Sequence, residues 1–321
     1  MKFDRDSVPC TICGDITDFL FPLYDDRYGF PGVFEIYRCP ACSHCTLAAD
    51  FSNNEIIDLY SNYYPRSDFS LDDFKPRKEV SGFSAWLNGE RRSAYAWVPE
   101  NVRILDVGCG FGETLAYHKE RGCDVYGVEA DENIKRVADK FGFNVHVGFF
   151  DSEIYEPDFF DYVTFDQVIE HCPDPLETFK GLSRILKPGG VAILSTPNAN
   201  GWGARAFGRF WINWHTPYHV EFFSSESISL AAEQSDLKVE KIKTITSSEW
   251  LLYQWIHLIT FPKQGVPSIF WTQSSSKSLI EKYTLYILSI FHRTKVNHML
   301  TRAFDSLGVG DNYLFFLRKN G

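Results

Sequence analysis

Residues 104–115 read Ile-Leu-Asp-Val-Gly-Cys-Gly-Phe-Gly-Glu-Thr-Leu, and this stretch decides the fold. Its apolar start, up to Val107, predicts a buried parallel strand. Glycines at alternate positions then end the strand, and a helical pattern follows over residues 113–121. A strand, a glycine turn and a helix in this order form an anion-binding corner, because backbone N–H groups and the helix N-terminus point at one place. Glycine also lets a ligand approach the backbone closely.

The ligand of this corner differs from a dinucleotide. A dinucleotide fingerprint reads Gly-x-Gly-x-x-Gly, but here the third glycine, Gly112, comes one place early. Asp106 stands two positions before the first glycine, where a carboxylate would repel a pyrophosphate but could hold an ammonium group through an amide or water. The next predicted strand ends in Glu129, whose carboxylate would meet the two hydroxyls of a ribose. An amino-acid end together with a ribose indicates S-adenosylmethionine.

Five motifs together resemble the class I S-adenosylmethionine-dependent methyltransferases. They are ILDVGCGFGETL, VYGVEAD, FDQVIEHCPDP, LKPGG and LSTPN, in the family's order across residues 99–246. The resemblance implies an α/β fold with a Rossmann-like seven-stranded sheet of strand order 3-2-1-4-5-7-6. Phe149 or Phe150 follows the third strand, where the family's adenine is usually sandwiched; core packing is the alternative for both rings. The residues implied to hold the cofactor are Asp106, Gly108, Cys109, Gly110, Glu129, Ala130, Phe149, Phe150 and Asp166.

Bulk properties narrow the class of protein. The chain has 321 residues and a formal net charge of -10, which argues against a dedicated nucleic-acid binder. It starts with no signal-peptide pattern and has no uninterrupted apolar run of roughly twenty residues. Eight cysteines without a secretory signal favour a reducing compartment. We therefore predict a cytoplasmic protein without a nucleic-acid partner.

The first 48 residues predict a zinc-binding module. Two CxxC knuckles, at positions 10–13 and 39–42, suit a tetrahedral zinc ion because each knuckle presents two thiolates. His44 and Cys45 lie beside the second knuckle and could replace a ligand, and unrelated free thiols are the alternative. Four thiolates leave no open position, so the predicted zinc is structural and supplies the folding energy of the module. The favoured ligands are Cys10, Cys13, Cys39 and Cys42.

A zinc module before such a core resembles bacterial enzymes that methylate sugars. In those enzymes the N-terminal module helps to cover the acceptor site, which implies that residues 24–28 face the acceptor; a structural loop around the zinc is the alternative. Residues 49–98 are helical and aromatic and resemble the family's helical lid, followed by the methyltransferase domain over residues 99–321. Three tyrosines of the lid are predicted to contact the cofactor or the acceptor: Tyr60, Tyr63 and Tyr64. The alternative is that they pack in the core.

Two histidines are candidate general bases. The fourth predicted strand of the core ends in Glu170 and His171, at the edge where ligands bind in open α/β sheets. An unperturbed pKa of about 6.5 lets His171 accept a hydroxyl proton at neutral pH. Glu170 could orient its ring or could instead be a helix-terminal charge. His219 lies in a long aromatic loop, residues 199–223, and is the second candidate. The sequence offers no convincing acidic cluster around the acceptor, so catalysis is predicted to be metal-free.

Residues 247–307 are predicted to form a helical insertion before the last strand. In the family that the chain resembles, the last strand inserts antiparallel between strands five and six, so these residues lie within the sheet order. From Pro262 onward basic side chains outnumber acidic ones, and apolar side chains recur at helical spacing between Leu279 and Phe291. Such a stretch indicates either peripheral membrane contact through residues 250–305 or a cover packed on the sheet or a partner.

The sequence as a whole predicts transfer of the methyl group of S-adenosylmethionine to a hydroxyl of a small molecule, with a sugar or glycan as the favoured acceptor. One alternative is a lipid-like or quinone acceptor at the membrane surface. Carbon methylation of a keto sugar and a non-catalytic, zinc-containing binding module are the others. The oligomeric state does not follow from the sequence.

Overall fold

The computed structural model describes residues 8–49, 51, 55, 59–63, 71–272 and 279–321, and two sheets organise them. The smaller sheet has the order β1-β2-β3-β9 and is antiparallel throughout. Its strands are β1 (Asp18–Leu23), β2 (Phe34–Arg38), β3 (Cys45–Ala48) and β9 (Glu221–Phe222). The N-terminal module, residues 8–48, is therefore completed by a strand from the second half of the chain.

The larger sheet has the order β10-β11-β8-β7-β4-β5-β6. Strand β11 is antiparallel to both neighbours, whereas the other pairs are parallel. Counted along the core, this is the order 3-2-1-4-5-7-6, and the predicted fold is confirmed. The strands are β4 (Arg103–Val107), β5 (Asp124–Glu129), β6 (Asn144–Val147), β7 (Phe160–Asp166), β8 (Leu186–Pro197), β10 (Leu237–Thr244) and β11 (Asn312–Lys319).

Helices cover both faces of this sheet, because its central strands are apolar on both sides. Leu105 and Phe165 belong to the hydrophobic core on one face, and Ile104 and Ile193 belong to the core on the other. The α-helices within the described ranges are α1 (Gly82–Asn88), α2 (Glu113–Glu120), α3 (Ile134–Phe141), α4 (Pro175–Ile185), α5 (Trp202–Phe207), α6 (Ser225–Glu233), α7 (Ser248–Ile259), α8 (Leu279–Arg293) and α9 (Val296–Ser306).

The helical insertion occupies its predicted place, since α7, α8 and α9 follow β10 and precede β11. The three helices contact one another, and α7 and α9 also contact α1. Among the helices that the structure describes, none has the length and apolarity needed to cross a membrane. The division of the chain into domains at residues 48 and 98 stays a prediction.

The N-terminal module is fastened to the segment that runs from β9 into α6. The hydroxyl of Ser224 donates to the carbonyl of Cys42 at 2.6 Å, and the amide of Gln234 donates to the carbonyl of Ile12 at 3.1 Å. Ser224 also caps α6 by accepting a hydrogen bond from the backbone of Ser227. The start of α6 and the second cysteine knuckle are thus fixed by the same side chain.

Candidate active site

The turn between β4 and α2 has the geometry of a ligand cradle. Gly108, Gly110 and Gly112 have φ values of +72°, +55° and +78°, which side chains with a Cβ rarely adopt. A Cβ at position 108 would lie 2.4 Å from Cγ2 of Val168, so any other residue would fit there only if Val168 moved. The alternate glycines of the sequence are therefore required by conformation as well as by ligand approach.

Glu129 closes the cradle from the neighbouring strand β5. Its Oε2 accepts a hydrogen bond from the backbone N–H of Gly110 at 2.8 Å, and its Oε1 accepts one from Asp131 at 2.9 Å. The carboxylate is half-buried and each oxygen keeps a second lone pair, so it can still accept hydrogen bonds from ribose hydroxyls. Ala130, the next residue, is exposed beside it.

Two of the predicted cofactor residues direct their side chains into the protein. Asp106 is buried and accepts hydrogen bonds from the hydroxyls of Thr114 and Thr164. Burial raises the pKa of Asp106 to about 6. Cys109 is also buried, and burial raises the pKa of its thiol well above the usual range. Cys109 can offer a ligand its backbone, and the predicted role of Asp106 toward an ammonium group stays a prediction.

Asp166 and the two phenylalanines complete the cofactor side. Burial raises the pKa of Asp166, against the opposing charge of Arg92, and its Oδ1 has no hydrogen-bond partner among the described residues. The ring of Phe149 is 82% exposed, whereas the ring of Phe150 stands edge-on to Phe165 at a centroid distance of 5.3 Å. These features fit S-adenosylmethionine. The glycine turn suits its amino-acid end, Glu129 can accept hydrogen bonds from its ribose, and the exposed ring of Phe149 can stack on its adenine. The unpartnered oxygen of Asp166 offers one further acceptor.

The predicted contacts in the lid are tested only at one tyrosine. The ring of Tyr63 packs on Phe30 of the N-terminal module at a centroid distance of 5.1 Å, which agrees with the core alternative. Tyr64 and the side chain of Tyr60 lie outside the described part of the chain.

The candidate bases His171 and His219 meet beyond the end of β7, at a ring centroid distance of 4.8 Å. His171 lies in a single turn of 3-10 helix, residues 169–171, and its Nδ1 is 2.8 Å from the carbonyl oxygen of Tyr218. Nδ1 of His219 is 2.9 Å from the carbonyl oxygen of Asn213. A carbonyl only accepts, so each Nδ1 carries the hydrogen and each Nε2 presents a lone pair.

Burial keeps both imidazoles neutral. The pKa of His171 is lowered by burial, and the pKa of His219 is lowered well below its usual range by burial and by the proximity of His171 and Arg27. A neutral imidazole whose orientation is fixed by a backbone carbonyl has a lone pair that can accept a proton at neutral pH. His215 lies beside them, with its ring 4.9 Å from that of His219.

Glu170 does not orient the ring of His171, which is held by Tyr218 instead; the predicted role of Glu170 is wrong in this respect. The carboxyl of Glu170 is fully buried and accepts a hydrogen bond from the hydroxyl of Thr196 at 3.1 Å. Its Oε1 lies 4.0 Å from Nε2 of His219. Burial raises the pKa of Glu170 to about 8, so the carboxyl is largely protonated at neutral pH.

The loop over residues 24–28 lies against this histidine cluster. The ring of Tyr28 is 6.0 Å from that of His215 and 5.7 Å from that of Tyr218. The guanidinium of Arg27 lies over the ring of Trp271 at 4.3 Å and donates to the carbonyl of Ile212 at 2.6 Å. That the loop faces the acceptor stays a prediction, but its contacts place it beside His215, the neighbour of His219.

Sequence reasoning missed a buried pair next to that loop. Nε2 of His257, on α7, is 3.3 Å from Oδ2 of Asp26, and both side chains are buried. The pair joins the insertion to the N-terminal module across more than two hundred positions of sequence. Neither residue belongs to a recognisable motif, so no signal in the spacing could have found the contact.

The four knuckle cysteines come together as predicted. Their sulfur atoms all lie within 4.8 Å of one another, and three pairs, Cys10–Cys42, Cys13–Cys39 and Cys13–Cys42, are 3.6, 3.4 and 3.7 Å apart. These distances are too long for disulfides. They agree with the edges, about 3.8 Å long, of a tetrahedron whose Zn–S distance is about 2.3 Å. The cysteines therefore fit a structural zinc ion, which we treat as a proposal.

His44 and Cys45 point away from the four sulfurs. Nε2 of His44 is 2.5 Å from Oε2 of Glu221, and Sγ of Cys45 is 4.0 Å from the carbonyl of Ser43. A second group of possible ligand atoms, from Glu170, His171 and His219, also lies within 4.8 Å of one another. Metal-free catalysis therefore stays a prediction.

Comparison with known proteins agrees with this site. A family model described as a methyltransferase domain matches residues 73–242, which is more than half of the chain. The chain belongs to this family, and its predicted class, the class I S-adenosylmethionine-dependent methyltransferases, is confirmed. The family assignment favours catalysis over the alternative of a non-catalytic binding module.

Several relatives have names that state a function. A ubiquinone biosynthesis O-methyltransferase of Pseudomonas fluorescens is 34% identical over 116 residues, covering 32% of this chain and 50% of that protein. One of Coxiella burnetii is 38% identical over 106 residues, covering 30% of this chain and 44% of that protein. A solved phosphoethanolamine N-methyltransferase of Haemonchus contortus, in complex with S-adenosyl-L-methionine, is 20% identical, covers 76% of this chain and 54% of that chain, and has a TM-score of 0.46. The chain spans about half the length of the curated relatives it matches.

Proposed function

We propose that this enzyme methylates a hydroxyl group of a small molecule, with His171 as the general base. The observation that carries the proposal is the neutral ring of His171, held at Nδ1 by the Tyr218 carbonyl with Nε2 presented as an acceptor. S-adenosylmethionine, when bound, supplies a methyl group that is already activated. The chain then has to align the acceptor oxygen and remove one proton, which His171 accepts.

Binding of the cofactor falls to the turn after β4 and to the end of β5. The glycine turn over residues 108–112, which allows close approach to the backbone, and the N-terminus of α2 would surround its amino-acid end. Glu129 would accept hydrogen bonds from the ribose, and Phe149 would stack on the adenine. Zn²⁺ at the four knuckle cysteines would hold the N-terminal module together and take no part in the chemistry.

For the acceptor we infer a phenol of the quinone-precursor type with an apolar tail. Two relatives that are 34% and 38% identical carry the name ubiquinone biosynthesis O-methyltransferase, which supports this class over the sugar predicted from the sequence. His219 adjoins His215, whose ring contacts those of Tyr28 and Tyr218, and such aromatic surroundings suit a flat aromatic acceptor.

An apolar acceptor also agrees with the outer surface of the insertion. Helices α8 and α9 and the residue that follows them expose large apolar side chains, with Arg293 at the end of α8 and Lys295 just before α9. Aromatic and apolar residues beside basic ones suit the surface of an anionic membrane. The exposed set is Tyr283, Tyr286, Ile290, Phe291, Val296, Met299, Leu300 and Leu307.

A sugar or glycan hydroxyl is the second candidate. It is favoured by the N-terminal module, whose loop over residues 24–28 lies against His215 and Tyr218 as a cover over the acceptor would. Aromatic rings such as that of Tyr28 also stack on sugars. Carbon methylation of a keto sugar needs the same proton transfer to a histidine, and product analysis by mass spectrometry and NMR separates it from O-methylation.

The acceptor is tested by release of S-adenosylhomocysteine in two pools, nucleotide sugars and dihydroxyphenols with a short prenyl tail. We expect turnover in the phenol pool, with loss in His171→Ala and wild-type rates in His292→Ala, a matched change on α8. Turnover confined to the sugar pool would favour the second candidate. Parallel reactions with a chelator present test whether a metal ion takes part, and turnover in neither pool would contradict both acceptors.

Membrane contact is tested by flotation with vesicles of phosphatidylglycerol and phosphatidylcholine. We expect the wild type to float with anionic vesicles and Tyr286→Glu to float less. Val33→Glu changes an exposed apolar side chain on the N-terminal module and is the matched control. Wild-type protein that stays at the bottom of the gradient would contradict the membrane proposal.

A further inference from the structure

Glu221 has a buried carboxylate that contacts side chains at both cysteine knuckles and on β3. Its side chain is enclosed, with a residue exposure of 2%. Oε2 accepts a hydrogen bond from the hydroxyl of Thr11 at 3.0 Å and lies 2.5 Å from Nε2 of His44. Oε1 accepts one from the hydroxyl of Thr46 at 3.4 Å. Thr11 stands inside the first knuckle and His44 two positions after the second, so one carboxylate joins both.

The backbone around Glu221 continues this connection toward the candidate active site. Thr46 pairs with Glu221 in the antiparallel ladder between β3 and β9. One residue earlier, the carbonyl of Val220 accepts a hydrogen bond from Leu47 at 2.9 Å, and its N–H donates to the carbonyl of Glu170 at 2.9 Å. Strand β3, the approach to β9 and the turn of Glu170 are therefore one hydrogen-bonded unit.

Both candidate bases depend on the same segment, residues 213–221. His219 stands two positions before Glu221, and the Asn213 carbonyl fixes its ring. The Tyr218 carbonyl fixes the ring of His171. A shift of this segment would move both imidazoles together, and a displacement of about 1 Å at a catalytic group can lower a rate roughly 100-fold.

A carboxylate is a costly choice for this buried position. Removing it from water is unfavourable unless donors surround it, and an apolar side chain would avoid that cost. What the carboxylate adds is direction, because its donors, on Thr11, His44 and Thr46, allow one arrangement of β9 against the module.

We propose that Glu221 is a positioning residue that holds residues 213–221 against the N-terminal module, so that His171 and His219 keep their geometry only while the module is intact. This inference rests on the proposed function, which gives the two histidines their catalytic role. It adds a task for the module, since the zinc-held knuckles fix Thr11 and His44 and, through Glu221, the bases.

The test compares Glu221→Gln with Glu35→Gln. Glu35, on β2 of the same sheet, accepts a hydrogen bond from the hydroxyl of Tyr37 at 2.8 Å and is the matched control. The measurements are kcat and KM for the acceptor, the Kd for S-adenosylmethionine by calorimetry, zinc content by a chelating dye, and the imidazole ¹⁵N signals. For Glu221→Gln we expect kcat to fall roughly 10- to 100-fold, with shifted signals of His171 and His219 and with unchanged zinc content and cofactor affinity.

Three results would overturn the proposal: an equal loss of kcat in Glu35→Gln, wild-type kcat with wild-type imidazole signals in Glu221→Gln, or an equal loss of cofactor affinity. If Glu221→Gln does not fold, Thr11→Val decides by the same criteria, because it removes only one donor to the carboxylate. If the wild type converts no acceptor, the proposed function fails, and the imidazole signals alone judge Glu221; unchanged signals would then overturn its role.

Discussion

The cofactor half and the acceptor half of the candidate active site lie at the ends of neighbouring strands, β4 and β7, but they use the chain differently. The cofactor half comes from one region of the chain, since residues 106–131 contain the glycine turn and Glu129, and Phe149, Phe150 and Asp166 follow them. The acceptor half combines Glu170 and His171 with residues 213–219 and with the loop over residues 24–28. Contacts such as Arg27 to Ile212 join positions 185 apart in sequence. One half carries its geometry within a motif, and the other acquires it only when distant segments meet.

The largest expected effect is the loss of kcat when the candidate base of the acceptor half, His171, is removed. In His171→Ala we expect kcat to fall roughly 10²- to 10⁴-fold, because general-base catalysis of the proton transfer is lost. The Kd for S-adenosylmethionine should stay at its wild-type value, as measured by calorimetry, since the ring lies in the acceptor half. A parallel loss of cofactor affinity would show that the two halves are not independent.

The converse change is Glu129→Ala, in the cofactor half. It removes the acceptor of hydrogen bonds from the ribose and from the N–H groups of Gly110 and Asp131. Hydrogen bonds to a charged group contribute about 1.5–3 kcal/mol, so the Kd for S-adenosylmethionine should rise roughly 10- to 100-fold. Glu132→Ala, an exposed change beside Lys135 in the same stretch, is the control and should bind normally. Wild-type affinity in Glu129→Ala would remove Glu129 from the cofactor half.

A third, smaller effect is the pH dependence of folding stability that the buried carboxyl of Glu170 in the acceptor half causes. The folded-state pKa of Glu170 is raised to about 8, so the folded protein holds a proton that the unfolded chain releases near pH 4.3. This contribution to stability is complete below about pH 4.3 and is lost as the pH rises through about 8, at up to about 1.4 kcal/mol per pH unit. Asp311, raised to about 7, contributes in the same direction at lower pH.

The buried histidines act in the opposite direction, because lowered pKa values make the folded state less stable only as the pH falls below about 6.5. The interval from about pH 7 to 8 is therefore the one in which Glu170 matters most. We expect thermal unfolding of the wild type to show declining stability there and Glu170→Gln to show a flatter profile. The same slope in both proteins would contradict a protonated Glu170; Glu132→Gln should keep the wild-type slope.

The smallest effect distinguishes the two rings after β6. Phe149→Ala should raise the Kd for S-adenosylmethionine roughly two- to tenfold, because an aromatic contact contributes about 0.5–1.5 kcal/mol beyond its area. Phe150→Ala should instead lower Tm, since its ring packs on Phe165. Calorimetry and thermal unfolding on both variants give the answer, and reversed results would assign adenine stacking to Phe150.

The same comparison explains what the sequence could predict. The strand order, the glycine turn and Glu129 followed from motifs whose residues are neighbours in the chain. The clustering of Cys10, Cys13, Cys39 and Cys42 also followed from the sequence, because two knuckles of equal spacing are typical of four thiolates that bind one metal ion.

The acceptor half resisted prediction for a physical reason. The groups that hold His171 and His219 are the backbone carbonyls of Tyr218 and Asn213, and a carbonyl has no residue type to recognise. The sequence suggested Glu170 as the partner of His171 because the two are adjacent, but the group bonded to Nδ1 of His171 is the carbonyl of Tyr218, 47 positions away. Likewise Glu221 looks like one acidic residue among many until β9 joins the N-terminal sheet.

Strand β11 has a consequence for biosynthesis. It lies between β8 and β10, yet the ribosome makes it after the whole insertion. At about 5–20 residues per second, β8 and β10 wait on the order of several seconds with unpaired edges facing each other. Such edges invite pairing with other chains, so the growing chain carries this hazard until residues 312–319 emerge and close the sheet.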